Sequence, residues 1–181
     1  TNTPVFNSSN SGSLLFNGSN NYVNFGNQNL GVDLINKSFC AWVNLSSSLA
    51  NPSSIIDKQF DNTPPSSNYG GWGFWAGPIT GGNGVWFWVQ GGKDLKDTTV
   101  LALNTWYHVA VAGSTGSYKM FLNGVQEGST YTGATSLSGG ALKIGQHLGI
   151  GDFNGYIDDL RITKDIARYT ANFTPPTQAF P

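Results

Sequence analysis

Hydrophobic and polar positions alternate along residues 106–128, WYHVAVAGSTGSYKMFLNGVQEG, and the pattern predicts three consecutive strands. The first strand carries Val109 and Val111 on one face, which is the period of two expected when one face of a strand is buried. After a polar GSTGS turn and a second strand, Asn123 and Gly124 supply the two left-handed residues of a type I′ hairpin. Because two turns fall within about a dozen residues, the spacing is typical of an antiparallel sandwich or barrel.

The same alternation predicts further strands on both sides of this segment. Residues Phe39–Leu45 are apolar on both faces, which indicates a central strand. Ser13–Phe16 and Tyr22–Phe25 flank an Asn-Gly-Ser-Asn-Asn turn and are predicted to pair as a hairpin. About ten to twelve strands without a long helical period predict an all-β fold, a two-sheet antiparallel jelly-roll sandwich. The other predicted strands are Ile55–Ile56, Trp72–Ala76, Val85–Val89, Thr99–Leu103, Ala141–Gly145 and Tyr156–Thr163.

The 181 residues are enough for one buried core, and sandwiches of this size are ordinarily single domains. Residues 1–12 are rich in Asn and Ser and predict an N-terminal arm. Residues 13–165 carry the predicted strands and form the domain. Residues 166–181 are predicted to be an extended, proline-rich tail that packs on the domain. The side chains that would anchor this tail are Tyr169, Phe173 and Phe180.

Charged residues make up 10% of the chain, with a net charge of -1 and a pI of about 6.0. Such a chain has no basic field for nucleic acid or for an anionic membrane. No apolar run approaches the roughly 18 residues of a membrane span. Abundant Asn, Ser and Thr with 13% aromatic residues are typical of an extracellular, cell-surface or virion module. The lone Cys40 cannot form an internal disulfide and is interpreted as a small buried hydrophobic residue.

The order of motifs along residues 13–163 resembles the laminin G-like and pentraxin-like branch of the concanavalin A-like lectin/glucanase superfamily. The motifs are SLLFNGSNNYVNF, SFCAW, NTWYHVAVAGSTGSYKMFLNG, LKIG and FNGYIDDLRI. The resemblance implies a jelly roll with a convex back and an exposed concave front. It also implies a non-catalytic module that binds carbohydrate or protein, often with calcium. The C-terminal ARYTANFTPP is similar to tails of such domains in phage and bacterial surface proteins.

Two positions depart from the pentraxin pattern. Pentraxins pair a cysteine in the strand that matches SFCAW with one in the strand that matches YHVAV, whereas this chain has Cys40 in the first and Ala110 in the second. The pentraxin disulfide is therefore not expected. Acidic calcium ligands follow the Gly-Gln of the pentraxin stretch that is similar to LKIGQHLGIGD, whereas His147 and Leu148 follow it here. The double calcium site of pentraxins is therefore not expected either.

Glucanases of this superfamily use a Glu-x-Asp-x-x-Glu strand, whose carboxyl groups act as nucleophile and as acid and base. This chain contains a single Glu, Glu127, directly after a hairpin turn. Asp158 and Asp159 adjoin in sequence, and neighbouring residues of a strand point to opposite faces. His108 is interpreted as a structural histidine. We therefore expect that the domain is not an enzyme.

A cluster of aromatic residues between positions 69 and 88 is the leading candidate for a binding site. The alternation in Val85–Val89 places Trp86 and Trp88 on the outer face, about 7 Å apart. Indole rings in this arrangement can stack on the C–H faces of sugar rings. A second interpretation, in which a Pro-rich loop or the terminal arms cover the rings as a second small core, stays open. The predicted ligand-binding residues are Tyr69, Trp75, Trp86, Trp88 and His147, the last in a loop at the sheet rim.

A structural calcium ion is predicted from the resemblance. The family often holds one between the C-terminal segment that matches Asp158 and Asp159 and the loop that matches residues 17–24. Calcium takes hard oxygen ligands, including carboxylates, carbonyls and Asn side chains. The alternatives are an ion pair with Arg161 or a turn cap. One Cys and two separated His do not suggest zinc. The candidate calcium ligands are Asp159, Asp158 and Asn20, with Asp152 and Asp57 in reserve.

These features predict a non-catalytic, lectin-like carbohydrate-binding module of a surface, secreted or virion protein. Its partner would be a glycan or cell-surface polysaccharide, and other domains of a larger parent chain would be further partners. The first alternative is a structural or protein-binding adhesion or tail-fibre domain, in which a partner chain would bury the tryptophans. The second is a glycoside hydrolase, which would need two carboxylates that converge in a cleft.

Overall fold

The structure is a computed structural model, and it describes residues 5–7, 12–26, 36–59, 71–89, 93–114, 116–133, 140–147 and 151–178. Within these ranges the chain forms fifteen strands, and the described residues contain no helix. The all-β prediction is therefore confirmed. It follows that the described part holds no helix that is long and apolar enough to cross a membrane.

The strands build two large antiparallel sheets and one short ribbon. The seven-stranded sheet has the order β1-β2-β15-β4-β9-β10-β11, the six-stranded sheet has the order β3-β12-β5-β6-β7-β8, and β13 pairs with β14. The strands are β1 Val5–Asn7, β2 Ser13–Asn17, β3 Val23–Asn24, β4 Lys37–Leu45, β5 Ser53–Asp57, β6 Trp72–Ile79, β7 Gly82–Val89, β8 Lys93–Lys96, β9 Trp106–Ser114, β10 Ser117–Leu122, β11 Val125–Thr132, β12 Lys143–Ile144, β13 Gln146–His147, β14 Gly151–Asp152 and β15 Asn154–Lys164.

The core lies between the two large sheets, and both contribute one face to it. Apolar side chains at alternate positions of β4 and β9 meet those of β6 and β7, as the strand period requires. The rings of Phe39 and Trp72 pack across the interface with centroids 4.3 Å apart. Fully buried members include Phe16, Val43, Ile55, Val85, Phe87, Val89, Val109, Val111, Met120 and Phe153.

The three strands predicted from residues 106–128 are present and adjacent, because β10 pairs with both β9 and β11. Asn123 and Gly124 have φ values of 48° and 79°, as a type I′ turn requires. Strand β4 lies at the centre of its sheet, as predicted. The register places Cys40 directly opposite Ala110.

The predicted N-terminal hairpin is wrong. Strand β2 pairs with β1 and β15 in the seven-stranded sheet, whereas β3 pairs with β12 in the six-stranded sheet. The turn between them carries the chain from one sheet to the other, with Gly18 and Asn20 at φ values of 74° and 51°. Hairpin turns and such corners use the same Gly and Asn residues, so local sequence does not separate them.

The predicted strand Thr99–Leu103 is also wrong. The strand next to β7 is β8, which ends at Lys96, and the chain then runs without a ladder until β9. Three backbone bonds hold this connection: from the N–H of Asp97 to Val85 O at 3.1 Å, from the N–H of Leu101 to Asn83 O at 2.7 Å, and from the N–H of Asn104 to Leu45 O at 2.8 Å. The apolar residues of this connection follow a strand-like sequence pattern. They do not pair in a ladder, because the backbone is bonded only at separated points.

The C-terminal segment crosses the outer face of the seven-stranded sheet. Tyr169 and Phe173 stack on each other with ring centroids 3.9 Å apart and an interplanar angle of 13°. They cover a small apolar cluster of Cys40, Ala110, Ala112 and Phe121. The tail therefore packs on the domain through two of the three predicted anchors. The third, Phe180, lies outside the described residues.

Candidate functional site

The outer face of the six-stranded sheet carries the predicted tryptophans. In β7, Val85, Phe87 and Val89 are fully buried in the core, while Trp86 and Trp88 between them are half-buried on the opposite face. Trp86 and Trp88 therefore lie on the outer face of the sheet, as the alternation predicted. Tyr69, the remaining aromatic candidate, lies outside the described residues.

Trp75 of β6 lies flat along this face because its neighbour two positions earlier is glycine. A methyl group at Gly73 would overlap the indole of Trp75. Gly73 pairs directly with Trp88, so the flattened ring of Trp75 reaches Trp88 and stacks on it. The ring centroids are 5.9 Å apart, with an interplanar angle of 15°.

Asp57 at the end of β5 holds the other side of Trp75. Its Oδ2 accepts a hydrogen bond of 2.9 Å from Nε1 of Trp75, and Nδ1 of His147 lies 3.0 Å from the same oxygen. Since a carboxylate oxygen only accepts, Nδ1 carries the hydrogen in this contact. The imidazole also packs on Trp75, with ring centroids 4.2 Å apart.

Burial divides the predicted ligand-binding residues into two groups. Trp75 and His147 are each 6% exposed, and His147 lies in strand β13 rather than in a rim loop. For these two side chains, the structure favours the interpretation of a second small core over that of an open stacking surface. Trp86 and Trp88 keep part of their surface accessible.

Trp86 is partly covered by a cation. Nζ of Lys96, which pairs with Trp86 across the β7–β8 ladder, lies 3.8 Å from the centroid of the indole ring. Lys96 also forms an ion pair of 3.3 Å with Asp94. A cation over an indole face is attracted by the ring quadrupole. Lys96 therefore occupies one face of Trp86 and borders the open space beside it.

A cleft of about 460 Å³ opens beside Trp86. It contains Asp97, which is 3% exposed, and neither carboxyl oxygen of Asp97 has a hydrogen-bond partner among the described residues. Burial raises the pKa of Asp97 to about 7, a weak interaction with the backbone of Val85 opposes this rise, and the nearby charge of Glu127 adds to it. The lining residues are Pro78, Ile79, Thr80, Trp86, Lys96, Asp97 and Thr98.

Sequence reasoning missed Asp97. The signal for it was an acidic residue directly after the short KDLK strand, which pairs with the strand of Trp86 and Trp88. Gly84 makes room for this carboxyl group, because a methyl group at Gly84 would overlap Oδ1 of Asp97. On the outer face of β7, position 84 therefore has no side chain and is covered by the carboxyl group of Asp97, whereas positions 86 and 88 carry indole rings.

The residues proposed for calcium do not come together as predicted. Asp158 pairs with Trp42 in β4, and its Oδ1 accepts a bond of 2.8 Å from the N–H of Asp159, which is the turn-cap alternative. Asn17 pairs with Asn154, and Asp158 is four residues further along β15, about 13 Å away. The Asn20 turn therefore lies at the other end of that strand pair.

Asp152, the reserve candidate, is the acidic neighbour of the Asn20 turn. Its Oδ2 accepts a bond of 2.6 Å from the N–H of Asn20, and its Oδ1 accepts one of 3.3 Å from Nε2 of Gln146. In the described ranges, no three His, Cys, Asp or Glu side chains are grouped as a metal site. Asp152 thus acts as a hydrogen-bond acceptor between the Asn20 turn and Gln146.

His108 is a structural residue in its surroundings, on the outer face of the other sheet. It is fully buried, and its ring packs against Trp42, Tyr169 and Phe173 with centroids 5.4, 6.2 and 5.5 Å away. Burial lowers its pKa to about 4, so the ring is neutral at physiological pH. Neither ring nitrogen has a hydrogen-bond partner in the described part of the chain.

Several solved structures share this architecture. Domain 4 of AbnA, a GH43 extracellular arabinanase from Geobacillus stearothermophilus solved with arabinotriose, is similar with a TM-score of 0.64 and 16% identity, over 91% of this chain and 76% of that one. A putative carbohydrate-binding protein from Bacteroides ovatus gives a TM-score of 0.59 and 18% identity, over 85% and 44%. A SAP-like pentraxin from Limulus polyphemus gives 0.53 and 18%, over 74% and 65%. At these identities the likeness shows the fold alone.

No curated protein sequence matches the chain. The family model Laminin_G_3, described as concanavalin A-like lectin/glucanases superfamily, matches residues 17–167. This match spans both large sheets and the start of the tail, and it agrees with the motif order and with the architecture. The chain belongs to the concanavalin A-like lectin/glucanase superfamily.

Proposed function

We propose that the domain is a non-catalytic carbohydrate-binding module that takes a glycan on the outer face of the six-stranded sheet. The observation that carries the proposal is the pair of partly accessible indoles, Trp86 and Trp88, beside the cleft that contains Asp97. Indole rings offer an apolar face to sugar C–H groups, and a few convergent polar groups fix the orientation of the hydroxyls.

The charge of the chain supports a neutral ligand. The net charge is -1, and among the described residues that line the cleft the one cation is Lys96, which lies near Asp94 and Asp97. A highly anionic polymer would gain little from this arrangement, because the single cation is already paired with a carboxylate. A neutral glycan is bound through stacking and hydrogen bonds and needs no net field.

The similar structures support the same class of ligand and an extracellular location. AbnA domain 4 was solved with arabinotriose and belongs to an extracellular enzyme, and the Bacteroides ovatus protein is named as carbohydrate-binding. We propose that this module likewise works outside the cell, as part of a surface, secreted or virion protein. The structural calcium ion that the resemblance implies stays a prediction for this module.

The direct test is a glycan array followed by titration calorimetry, with arabinotriose as the first probe. Trp88→Ala is expected to weaken binding by about 1 to 3 kcal/mol, the scale of lost aromatic burial and stacking. Trp106→Ala is the matched control, because Trp106 is also half-buried but lies on the outer face of the other sheet, against Tyr156. The control should bind as tightly as the wild type.

Two outcomes would reject the proposal. The first is that no glycan on the array binds the wild-type domain. The second is that Trp88→Ala binds normally while Trp106→Ala does not, which would move the site to the other sheet. If no glycan binds, but a partner protein from the same surface assembly protects Trp88 from chemical labelling, the adhesion or tail-fibre alternative is supported instead.

A glycoside hydrolase is the second candidate, and one observation favours it. Asp97, with its pKa of about 7, lies close enough to Glu127 that the charge of Glu127 raises that pKa. One protonated and one ionised carboxyl is the arrangement that glycosidases use. However, Glu127 accepts a bond of 2.9 Å from Oγ1 of Thr99, and Asp97 lines the cleft while Glu127 does not belong to its described lining.

The hydrolase is tested by incubation of the purified domain with each glycan that it binds, with and without calcium. We expect no new reducing ends above a buffer control, because Glu127 is not among the described residues that line the cleft of Asp97. Turnover that disappears in both Asp97→Asn and Glu127→Gln would instead establish the enzyme.

A further inference from the structure

The cleft beside Trp86 contains polar groups that the protein itself does not satisfy. Both carboxyl oxygens of Asp97 and Nε1 of Trp86 are buried and have no hydrogen-bond partner among the described residues. Buried polar groups in folded proteins are nearly always bonded, so each exception requires an explanation such as a ligand or an ordered water. Asp97 and Trp86 both line this cleft, so one ligand bound there would explain both exceptions.

The position of Asp97 is built into the backbone. Its N–H donates to the carbonyl of Val85 at 3.1 Å, and its Oδ1 sits over Gly84, where no side chain is tolerated. Gly84 also pairs directly with Gly77 of β6, so the sheet is bare at this point. The carboxyl group is therefore fixed in the wall of the cleft rather than carried on a mobile loop.

The two unsatisfied groups are within reach of one small ligand. Gly84 and Trp86 occupy successive outer-face positions of β7, about 7 Å apart by strand geometry. Asp97 lies over the first position and the indole of Trp86 stands at the second. The cleft volume of 460 Å³ falls in the range of about 300 to 1,000 Å³ that small-molecule sites occupy.

The charges around the cleft select against ionic ligands. Lys96 covers one face of Trp86 and would repel a cationic ligand that approached the same ring. Asp94, Asp97 and Glu127 surround the same strand edge and would repel an anionic ligand. A neutral ligand that both donates and accepts hydrogen bonds meets neither obstacle, and sugar hydroxyls do both.

We infer that the cleft is a subsite for one neutral sugar residue with two neighbouring hydroxyl groups. One hydroxyl oxygen accepts from Nε1–H of Trp86, and the next hydroxyl donates to the carboxyl group of Asp97. Pro78 and Ile79 supply the apolar wall for the C–H face of the ring. The inference rests on the carbohydrate-binding function proposed above, and it adds that Asp97 and Trp86 select the sugar.

The test uses the Asp97→Asn variant with arabinotriose, and then with the tightest ligand from the glycan array. At pH 8, above the pKa of Asp97, we expect an affinity loss of about tenfold or more, since hydrogen bonds to a charged group are among the stronger ones. The variant should remain folded, because it removes an unpartnered buried carboxyl group without a change of shape. Asp165→Asn is the control, since Asp165 is exposed after β15 with φ 64°, which Asn tolerates well.

A second readout observes Trp86 directly. The six tryptophans give six indole N–H resonances, and the one lost in Trp86→Phe belongs to Nε1 of Trp86. Addition of the sugar should move this resonance in the wild type and much less in Asp97→Asn. Gly84→Ala, whose methyl group displaces the carboxyl group, should weaken binding in the same way.

The outcomes separate this inference from the proposed function. If glycan binds, but Asp97→Asn keeps full affinity and the Trp86 resonance stays in place, the subsite is rejected and the binding function stands. If no glycan in the panel binds the wild type, both are rejected. Loss of affinity in Asp97→Asn without loss in Asp165→Asn, together with the shift of the Trp86 resonance, supports both.

Discussion

Nε1 of Trp75 donates a hydrogen bond of 2.9 Å to Oδ2 of Asp57, which lies 18 positions earlier in the chain. The same oxygen contacts Nδ1 of His147, which lies 90 positions later than Asp57. One carboxylate thus connects strands β5, β6 and β13 on the outer face of the six-stranded sheet. Its other oxygen, Oδ1, accepts a bond of 2.8 Å from the N–H of Gln59, so removal of the carboxylate would leave three buried donors without an acceptor.

We predict that Asp57→Ala lowers the free energy of unfolding by about 2 to 5 kcal/mol, because a buried donor left unbonded costs about 1 to 3 kcal/mol. Asp57→Asn keeps one acceptor oxygen and should lose less. Urea denaturation followed by circular dichroism measures both. Asp94→Ala, which removes an exposed carboxylate from β8, is the control and should change stability by less than about 0.5 kcal/mol. Equal losses in the two alanine variants would contradict the anchoring role.

We predict that Gly73→Ala destabilises the domain by about 1 to 3 kcal/mol, the usual cost of overpacking. The added methyl group overlaps the indole of Trp75 and must push it away from Trp88. In a Trp75→Leu background the same change should cost much less, since the overlapping atoms are gone. Denaturation of the four variants gives the coupling energy, and a coupling near zero would show that the glycine is needed for another reason.

The pH dependence of stability should carry a signature of Asp97. Its pKa is about 7 in the folded domain against 3.8 for an ordinary Asp, so between these values the folded state holds a proton that the unfolded chain releases. The free energy of unfolding therefore falls as the pH rises through this window, by up to about 4 kcal/mol. Asp97→Asn removes this fall, so the variant should gain stability over the wild type most clearly at pH 8.

His108 should act in the opposite direction. Its pKa is about 4 in the folded domain against 6.5 for an ordinary His, so between these values the unfolded chain binds a proton that the folded domain does not. The free energy of unfolding falls as the pH drops through this window, by up to about 3 kcal/mol. Because the Asp97 slope opposes it, the effect is measured in the Asp97→Asn background. Addition of His108→Phe should flatten the remaining slope.

The register of Cys40 and Ala110 allows a test of the pentraxin comparison. The two residues face each other in β4 and β9, and paired antiparallel positions have Cα atoms about 4.5 to 5.5 Å apart, within the range of disulfides. We predict that Ala110→Cys forms a disulfide under oxidising conditions, so that thiol titration finds no free cysteine. The wild type, with one cysteine, should keep one thiol under the same conditions. A variant with two free thiols would mean that the tail packing above Cys40 prevents closure.

Local patterns predicted the parts of the fold that local interactions determine. The period of two in β7 and β9 identified which side chains face the core, since alternation follows from strand geometry alone. The turn at Gly18 and Asn20 was assigned to a hairpin because a corner between sheets uses the same left-handed residues. The partner of a strand depends on residues far along the chain, and a single sequence does not display them.

For the candidate site, too, the sequence predicted what strand alternation determines and missed what depends on distant residues. The outward direction of Trp86 and Trp88 follows from alternation, but the burial of Trp75 depends on Gly73, Asp57 and His147 together. Asp97 gave no motif, because its importance comes from the bare position at Gly84 across the ladder. The calcium site at Asp158 and Asp159 was predicted from the family resemblance, and the structure adds that Oδ1 of Asp158 accepts a bond from the N–H of Asp159.

The thiol of Cys40 makes the tail measurable without an added label. Cys40 is 3% exposed beneath Tyr169, whose hydroxyl lies 3.6 Å from Sγ, and burial raises the pKa of the thiol. Thiol reagents react with the exposed thiolate, so they reach Cys40 only in molecules whose tail has lifted. The labelling rate, compared with that of the unfolded chain, therefore gives the local opening equilibrium of the C-terminal segment, separately from unfolding of the sandwich.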